Sequence, residues 1–340
     1  MTEFFLEYGL FLAKTITILA SIVVVIVLIL SLAHKEKDKD KIEIIKLNDK
    51  YDELRHALQM EMLPKDELKK VLKADKHKHK KEKKKSQPDK KRIFVLDFMG
   101  DIKASAVSAL REEITAILTL VKPNDEVFVK LESGGGLVHA YGLASSQLMR
   151  IRSQEIPLTI AVDKVAASGG YMMACVANKI ISAPFAVLGS IGVLAQIPNF
   201  HRLLKKNNVD FEQFTAGEFK RTVTMFGENT DSARIKFAEE LEDTHILFKD
   251  FVHENRPALD INRIATGEHW YGSKAIELKL VDELMTSDDF LLEQSKEADL
   301  YSIIYKAKKP ISSRLSSFIQ LTFEKLFYSW WQQSDQSRYR

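Results

Sequence analysis

From Ile93 onward, short runs rich in β-branched and aromatic residues alternate with longer runs whose apolar positions recur at helical spacing. No other feature limits the possible folds as much. Strand signals fall at Ile93 to Phe98, Val127 to Leu131 and, after Pro157, Leu158 to Val162. Helix signals run from about Ala104 to Val121, closed by Pro123, and from Ser133-Gly134-Gly135-Gly136 to about Arg152. Strands and helices in this order predict an α/β fold with a mainly parallel sheet. Sites in such folds gather where strands end and helices begin. Two glycine loops occupy junctions of that kind, Ser133 to Gly136 and Ser168-Gly169-Gly170.

The second loop is the more informative. The apolar run Leu158 to Val162 leads into it, and small and apolar residues follow to about Asn178, which predicts strand, tight turn and helix. Glycines after the serine let the backbone pass close to a bound group, and the unpaired N–H donors of a new helix point at whatever lies beside the hydroxyl. That suits a nucleophile and a developing oxyanion. Read on this stretch alone, Ser168 is more simply a helix N-cap, with Gly169 and Gly170 serving close packing.

Further along, Ile180 to Phe200 is apolar enough to suggest a membrane span, but it contains Pro184, Gly189, Gly192, Gln196 and Pro198. Buried strands and turns are therefore expected, with Gly189-Ser190-Ile191-Gly192 as a tight turn. Val209 to Phe214 reads as a strand leading to Gly217-Glu218-Phe219-Lys220, and a long helix from about Asp231 to Glu254 follows with Asp231 as its cap. Between Ser313 and Trp331 an apolar stripe of Leu315, Phe318, Ile319, Phe323, Leu326, Phe327, Trp330 and Trp331 recurs at helical spacing. It fits packing on the body or a neighbouring subunit, or an interfacial membrane helix.

The front of the chain differs in character. Thr15 to Ala33 is 19 residues without a charge, long enough to span a bilayer as a helix. Leu32-Ala33-His34-Lys35-Glu36-Lys37 follows rather than a small-residue cleavage site, which favours an uncleaved anchor over a signal peptide. Lys14 alone precedes the span, while Lys35, Lys37, Lys39, Lys41, Lys46 and Lys50 follow it, so the Lys count places the bulk of the chain on the cytoplasmic side. Ile44, Ile45, Leu47, Tyr51, Leu54, Leu58 and Met62 predict an amphipathic helix or stalk over residues 42–73. Lys73 to Arg92 then carries 11 Lys or Arg against 3 acids and reads as a solvated linker, with anionic lipid as the fitting counter-charge. No aromatic residue is interleaved for base stacking, so nucleic acid is not an expected partner. Residues 1–92 hold 22 Lys and Arg against 15 Asp and Glu, net +7, leaving residues 93–340 at −4. The basic character thus belongs to the attachment region. The domains expected are a tail and anchor at 1–34, stalk and linker at 35–92, a catalytic domain at 93–290 and an amphipathic tail at 291–340.

The chemistry must come from few groups. Cys175 is the one cysteine, which excludes an intrachain disulfide and fits a small packed hydrophobe. No His pair has a ligand spacing with an acid between, so neither a metal nor a cofactor is expected. His139, His201, His245, His253 and His269 are the histidines available to a serine triad, and none comes with a local acid–base motif. Lys220, beside Phe219, offers another route, because a lysine can act as general base where apolar surroundings favour the neutral amine.

Taken together, Ser133-Gly134-Gly135-Gly136, Ala166-Ala167-Ser168-Gly169-Gly170-Tyr171, Gly189-Ser190-Ile191-Gly192 and Gly217-Glu218-Phe219-Lys220 resemble the signal peptide peptidase A family of serine–lysine proteases. The match in order and spacing extends from about Ile93 to Leu284. The resemblance implies Ser168 as nucleophile, Lys220 as general base, the N–H groups of Gly135 and Gly169 as oxyanion hole, and Gly189 and Ser190 near the substrate cleft. Where the family often has Pro, before the oxyanion glycine, this chain has Gly134. A ClpP/crotonase-like fold of stacked strand–strand–helix units is implied too, with a homo-oligomer whose dyad can be completed across subunits. The implied setting is a bacterial inner membrane, where related enzymes act on the outer, periplasmic side, opposite to the Lys count. The expected activity is a membrane-anchored serine endopeptidase cutting peptides through an acyl-enzyme, its substrates including remnant signal peptides or membrane-protein fragments. A crotonase-like acyl-CoA enzyme and a catalytically silent membrane scaffold are the alternatives.

Overall fold

A computed structural model describes residues 2–33, 41–70, 73 and 90–307. The chain divides into two units, Met1–Lys41 with Lys306–Arg340, and Ile42–Tyr305. In the first, helix α1 (Thr2–Ala33) contains a 22-residue stretch, Leu6–Val27, of mean hydropathy 2.6. It is the one helix among the described residues long and apolar enough to cross a membrane. The stripe between Ser313 and Trp331 lies outside the described residues.

The second unit is built on a ten-stranded sheet. Its strands are β1 (Lys41–Lys46), β2 (Arg92–Gly100), β3 (Glu126–Ser133), β4 (Leu158–Val162), β5 (Val165–Ala167), β6 (Lys179–Ser182), β7 (Val187–Gly189), β8 (His269–Tyr271), β9 (Glu283–Leu284) and β10 (Asp299–Lys306). The main path runs β1-β10-β2-β3-β4-β6-β9, and β5, β7 and β8 form a short second row beside it. From β10 through β2, β3, β4 and β6 to β9 the pairing is parallel, whereas β8 runs antiparallel to β7. Helices fill the connections: α2 (Leu47–Met62), α3 (Val107–Leu118), α4 (Val138–Arg152), α5 (Gly169–Ala174), α6 (His201–Lys206), α7 (Asp231–Asn255), α8 (Ile261–Ile264), α9 (Gly272–Ala275) and α10 (Ser287–Gln294).

The central strands are apolar at most positions because both faces of the sheet are covered. Phe94, Leu96 and Phe98 of β2 and Val127, Val129 and Leu131 of β3 face the larger core, which takes in Leu110, Ile114 and Ile117 of α3 and Tyr141, Ala144, Leu148 and Ile151 of α4. The alternate residues Ile93, Val95 and Phe128 face a smaller core closed by Phe290 and Leu291 of α10, with Leu47 and Tyr51 of α2 packed against it. Phe128 and Phe290 stack there at 4.6 Å, worth about 1 kcal/mol beyond the area buried.

Strand–strand–helix stacking is explicit at β4–β5–α5. β4 pairs with β3 and β6, whereas β5 pairs with the end of β3 and with β7, so the chain steps from the main path into the second row. β6 and β7 repeat the step alongside. The ends of β3, β5 and β7 are thereby brought together, and each carries one of the glycine motifs.

Several local expectations are corrected. Helix was expected from residue 42, but Lys41–Lys46 is the edge strand beside β10, and helix begins at Leu47. Asn48 fixes that junction, its Nδ2 donating to Ser295 O and Ala298 O and its Oδ1 accepting from Leu300 N–H. The sheet therefore draws on residues from both the linker and the tail. The long helix is capped by Thr230, which accepts from Ala233 N–H, rather than by Asp231. Residues 209–214 form no strand, and the apolar segment after Ile191 is exposed rather than buried. Phe200 and Phe211 pack on Phe226, but among the described residues no strand or helix layer buries the segment.

Ion pairs lock the margins of the sheet. Arg256, at the end of α7, makes two hydrogen bonds to the Asp282 carboxylate, which also accepts from Ile180 N–H of β6. Burial pushes the Asp282 carboxyl up, but these bonds and the Arg256 charge outweigh it and leave the carboxyl below its ordinary value. Asp125 behaves in the same way, with burial opposed and outweighed by Arg92 and by Lys122 N–H. A carboxylate depressed in the fold contributes stability above its unfolded pKa, about 3.9, and loses it as pH falls through the folded value. The urea midpoint should therefore hold steady above about pH 5 and fall below about pH 4. Asp125→Asn and Asp282→Asn should each lower the midpoint at pH 6 and flatten the acid slope, and an unchanged slope in both would refute the assignment.

Candidate active site

Ser168 stands between β5 and α5 with φ 53° and ψ −121°. That combination belongs to the first central position of a type II′ turn, where glycine is the usual residue, so a serine there is strained. Its backbone is held on both sides, Ser168 N–H donating to Gly189 O at 2.8 Å and Ser168 O accepting from Met172 N–H at 2.9 Å. Its Oγ accepts no cap bond from the helix. The N-cap reading of the hydroxyl is thus set aside: it is half-buried and makes no hydrogen bond within the described residues.

The first glycine loop closes on the same point. Gly135, at φ +89°, lies so near that a Cβ there would stand 2.7 Å from Gly169 N, 2.8 Å from Ala167 O and 2.8 Å from Ser168 Cβ. Only glycine meets both demands, the left-handed backbone and the contact. Gly169 is buried, and a side chain there would overlap the Tyr141 ring. Among the described residues its N–H has no acceptor, as expected for the first residue of a helix. The Gly135 N–H donates to Ser133 Oγ at 3.1 Å. Gly134 is open, a Cβ there meeting nothing within 4 Å, so crowding does not require glycine where the family often has proline.

Gly189 is the register partner of Ala167 across β5 and β7 and packs beneath the Trp270 ring, while Ser190 N–H donates to Glu268 O at 2.6 Å. The structure thus brings together Ser168, Gly135, Gly169, Gly189 and Ser190. Among the described residues no hydrogen bond joins Lys220 to Ser168. Lys220 is exposed in a turn where its N–H donates to Gly217 O at 3.2 Å. It borders a hollow of about 820 Å³ lined by Ile197, Phe211, Phe214, Met225 and Phe226.

Two residues escaped the sequence reading. The Tyr141 hydroxyl lies 2.5 Å from Ser133 Oγ and donates to Asp101 O at 2.7 Å. Burial pushes the Tyr141 phenol up, so it stays a neutral donor at physiological pH. Ser133 was visible only as the first letter of a glycine motif, and Tyr141 as one helix residue among others. Cys175 is buried, with its thiol against Met172 O and pushed up by burial, which makes it an inert packing residue.

A strained serine on a strand-to-helix turn, faced by a second glycine loop, fits the hydrolytic enzymes that work through a nucleophilic side chain. The chain belongs to peptidase family S49: the family's N-terminal model matches residues 3–148 and its catalytic model residues 150–301. It is thus a peptidase, and peptides are its substrate class. A Haemophilus influenzae protein named "Probable protease SohB" is 52% identical, the match covering 89% of this chain and 90% of that one. A protein of the same name from Buchnera aphidicola is 50% identical over 86% of this chain and the whole of its own length. A solved structure of a membrane-bound stomatin-specific protease, a lysine-to-alanine mutant in complex with a substrate peptide, covers 68% of this chain and 98% of its own, at 14% identity and a TM-score of 0.41.

Proposed function

We propose that this chain is a serine endopeptidase, held in a bacterial inner membrane by α1, that hydrolyses peptide bonds through an acyl-enzyme. The observation that carries this reading is Ser168, whose Oγ makes no hydrogen bond among the described residues and sits on a strained turn with Gly135 and Gly169 packed beside it. Lys220, as the neutral amine, takes the Oγ proton while Oγ bonds to the substrate carbonyl carbon. The oxyanion accepts from the Gly135 and Gly169 N–H groups, a donor of this kind being worth about 3 kcal/mol. The Lys220 ammonium then protonates the leaving nitrogen as the C–N bond breaks. A water gives its proton to Lys220 as its oxygen attacks the ester, and Oγ leaves carrying that proton back. Gly189 and Ser190 border the cleft, and no cofactor enters the reaction.

The enzyme works as a homo-oligomer with lipid around α1, and unfolded peptide, including signal peptides and membrane-protein fragments, is its substrate. Ser168→Ala and Lys220→Ala each abolish cleavage of such a peptide by the full chain, and unimpaired hydrolysis by either variant refutes the dyad.

The Lys-rich stretch after α1 supports a cytoplasmic side for the catalytic unit. An alkaline phosphatase fusion at Arg92 should then be inactive in cells. Strong phosphatase activity there would instead place the catalytic unit in the periplasm, where the family resemblance pointed.

A further inference from the structure

Gly134, Gly135 and Gly136 are three glycines in succession, and such a run has no stiffness of its own. An oxyanion donor is useful only if it is held in place before the charge develops. The stiffness comes from a hydrogen-bond chain outside the loop, and its direction can be worked out. Tyr141 donates to Asp101 O at 2.7 Å, which uses the one hydrogen a phenol has. In the 2.5 Å contact with Tyr141 Oη the Ser133 hydroxyl must therefore be the donor. Ser133 Oγ is left to accept, and it accepts the Gly135 N–H. The chain runs in one direction, from Gly135 to Ser133 to Tyr141 to the Asp101 carbonyl.

The same two residues also bear on the other donor. Tyr141 presses its ring against Gly169, and the Ser133 carbonyl lies against Gly170. Both residues are sealed from water, Ser133 at 2% and Tyr141 at 0% exposure. The hydroxyls thus reach the first glycine loop through Gly135, and the ring and carbonyl of the same two residues reach the second through Gly169 and Gly170.

We propose that Ser133 and Tyr141 are positioning residues for acyl transfer, their hydroxyls holding the Gly135 amide and their ring and carbonyl holding the segment that begins at Gly169. This rests on the reading of Gly135 and Gly169 as oxyanion donors. At 3.1 Å the bond from Gly135 to Ser133 is at the long end of the usual range. Its N–H can therefore be shared, in a three-centre bond, with a carbonyl oxygen arriving over Ser168.

The test uses the full chain in detergent and a fluorogenic peptide that the wild-type protein cleaves. Ser133→Ala and Tyr141→Phe each keep the shape of the side chain and remove one hydroxyl. Each should lower kcat by about tenfold or more while KM stays within about twofold, because the loss falls on the transition state. The double variant should be no slower than the slower single one, since the hydroxyls act in series. An unchanged kcat in both variants, with only the unfolding temperature lowered, would overturn the proposal, as would losses that multiply in the double variant. Ser168→Ala is the control that separates the two readings: if it still cleaves, the oxyanion assignment itself fails. If it is dead while Ser133→Ala keeps its kcat, only the positioning role fails.

Discussion

Ser168→Ala should lower kcat for peptide cleavage on the order of 10⁶-fold, as expected for removal of a serine nucleophile, while shifting the unfolding temperature by no more than about 2 °C. The two halves of that expectation have separate causes. Activity falls because the oxygen that bonds to the carbonyl carbon is gone. Stability holds because Oγ makes no hydrogen bond among the described residues, so its removal leaves no buried partner there unsatisfied. Ser168→Gly sharpens the contrast. At φ 53° and ψ −121° a serine carries strain of about 1–3 kcal/mol that glycine does not. Glycine returns about 0.4–1 kcal/mol of that through the greater freedom of the unfolded chain, so the variant should come out about 1 kcal/mol more stable than wild type and equally dead. Thermal unfolding and a peptide assay on the same preparations read both quantities. A cleaving Ser168→Gly ends the nucleophile assignment, and a destabilised one ends the strain account.

What could be read from the chain beforehand follows from which interactions are local. The parallel sheet was legible because Val127 to Leu131 and Leu158 to Val162 are apolar at nearly every position, the mark of strands covered on both faces. The glycine motifs were legible because a left-handed backbone or a close approach leaves a glycine in the sequence, as Gly135 does. Lys41–Lys46 was misread because Ile42, Ile44 and Ile45 continue into Leu47 and Tyr51 at a spacing that also suits a helix. Its strand state comes from β10, more than 250 residues later. Residues 209–214 carry a strand's composition but pair with no strand among the described residues, and composition without a partner does not make a ladder. The contact of Ser133 with Tyr141 spans only eight residues, yet it depends on how β3 and α4 are turned toward each other, which spacing does not encode. Whether Lys220 reaches a serine 52 positions away is less local still.

Mixing two inactive variants should restore cleavage, and that result would show where Lys220 works. Within one chain Lys220 makes no hydrogen bond to Ser168, and it is exposed among apolar side chains that are exposed as well, Phe214 at 90% and Phe219 at 54%. In the oligomer proposed above, this apolar surface is a face for a neighbouring copy to cover. Covering it would also withdraw Lys220 from water. If a neighbouring copy supplies the cover in a head-to-tail ring, the Lys220 of one protomer meets the Ser168 of the next. Ser168→Ala protomers then still offer a lysine, and Lys220→Ala protomers still offer a serine. In a random equal mixture about one site in four combines the intact serine with the intact lysine, so co-expression should recover about a quarter of wild-type activity from two dead parents. A dyad closed within one chain recovers nothing, because every protomer then lacks one of its two groups. The decisive measurement is peptide cleavage by the co-expressed, co-purified mixture, with tags on both variants to show that they share an oligomer. Shared oligomers without activity would return Lys220 to its own chain and require residues 193–230 to fold back over Ser168.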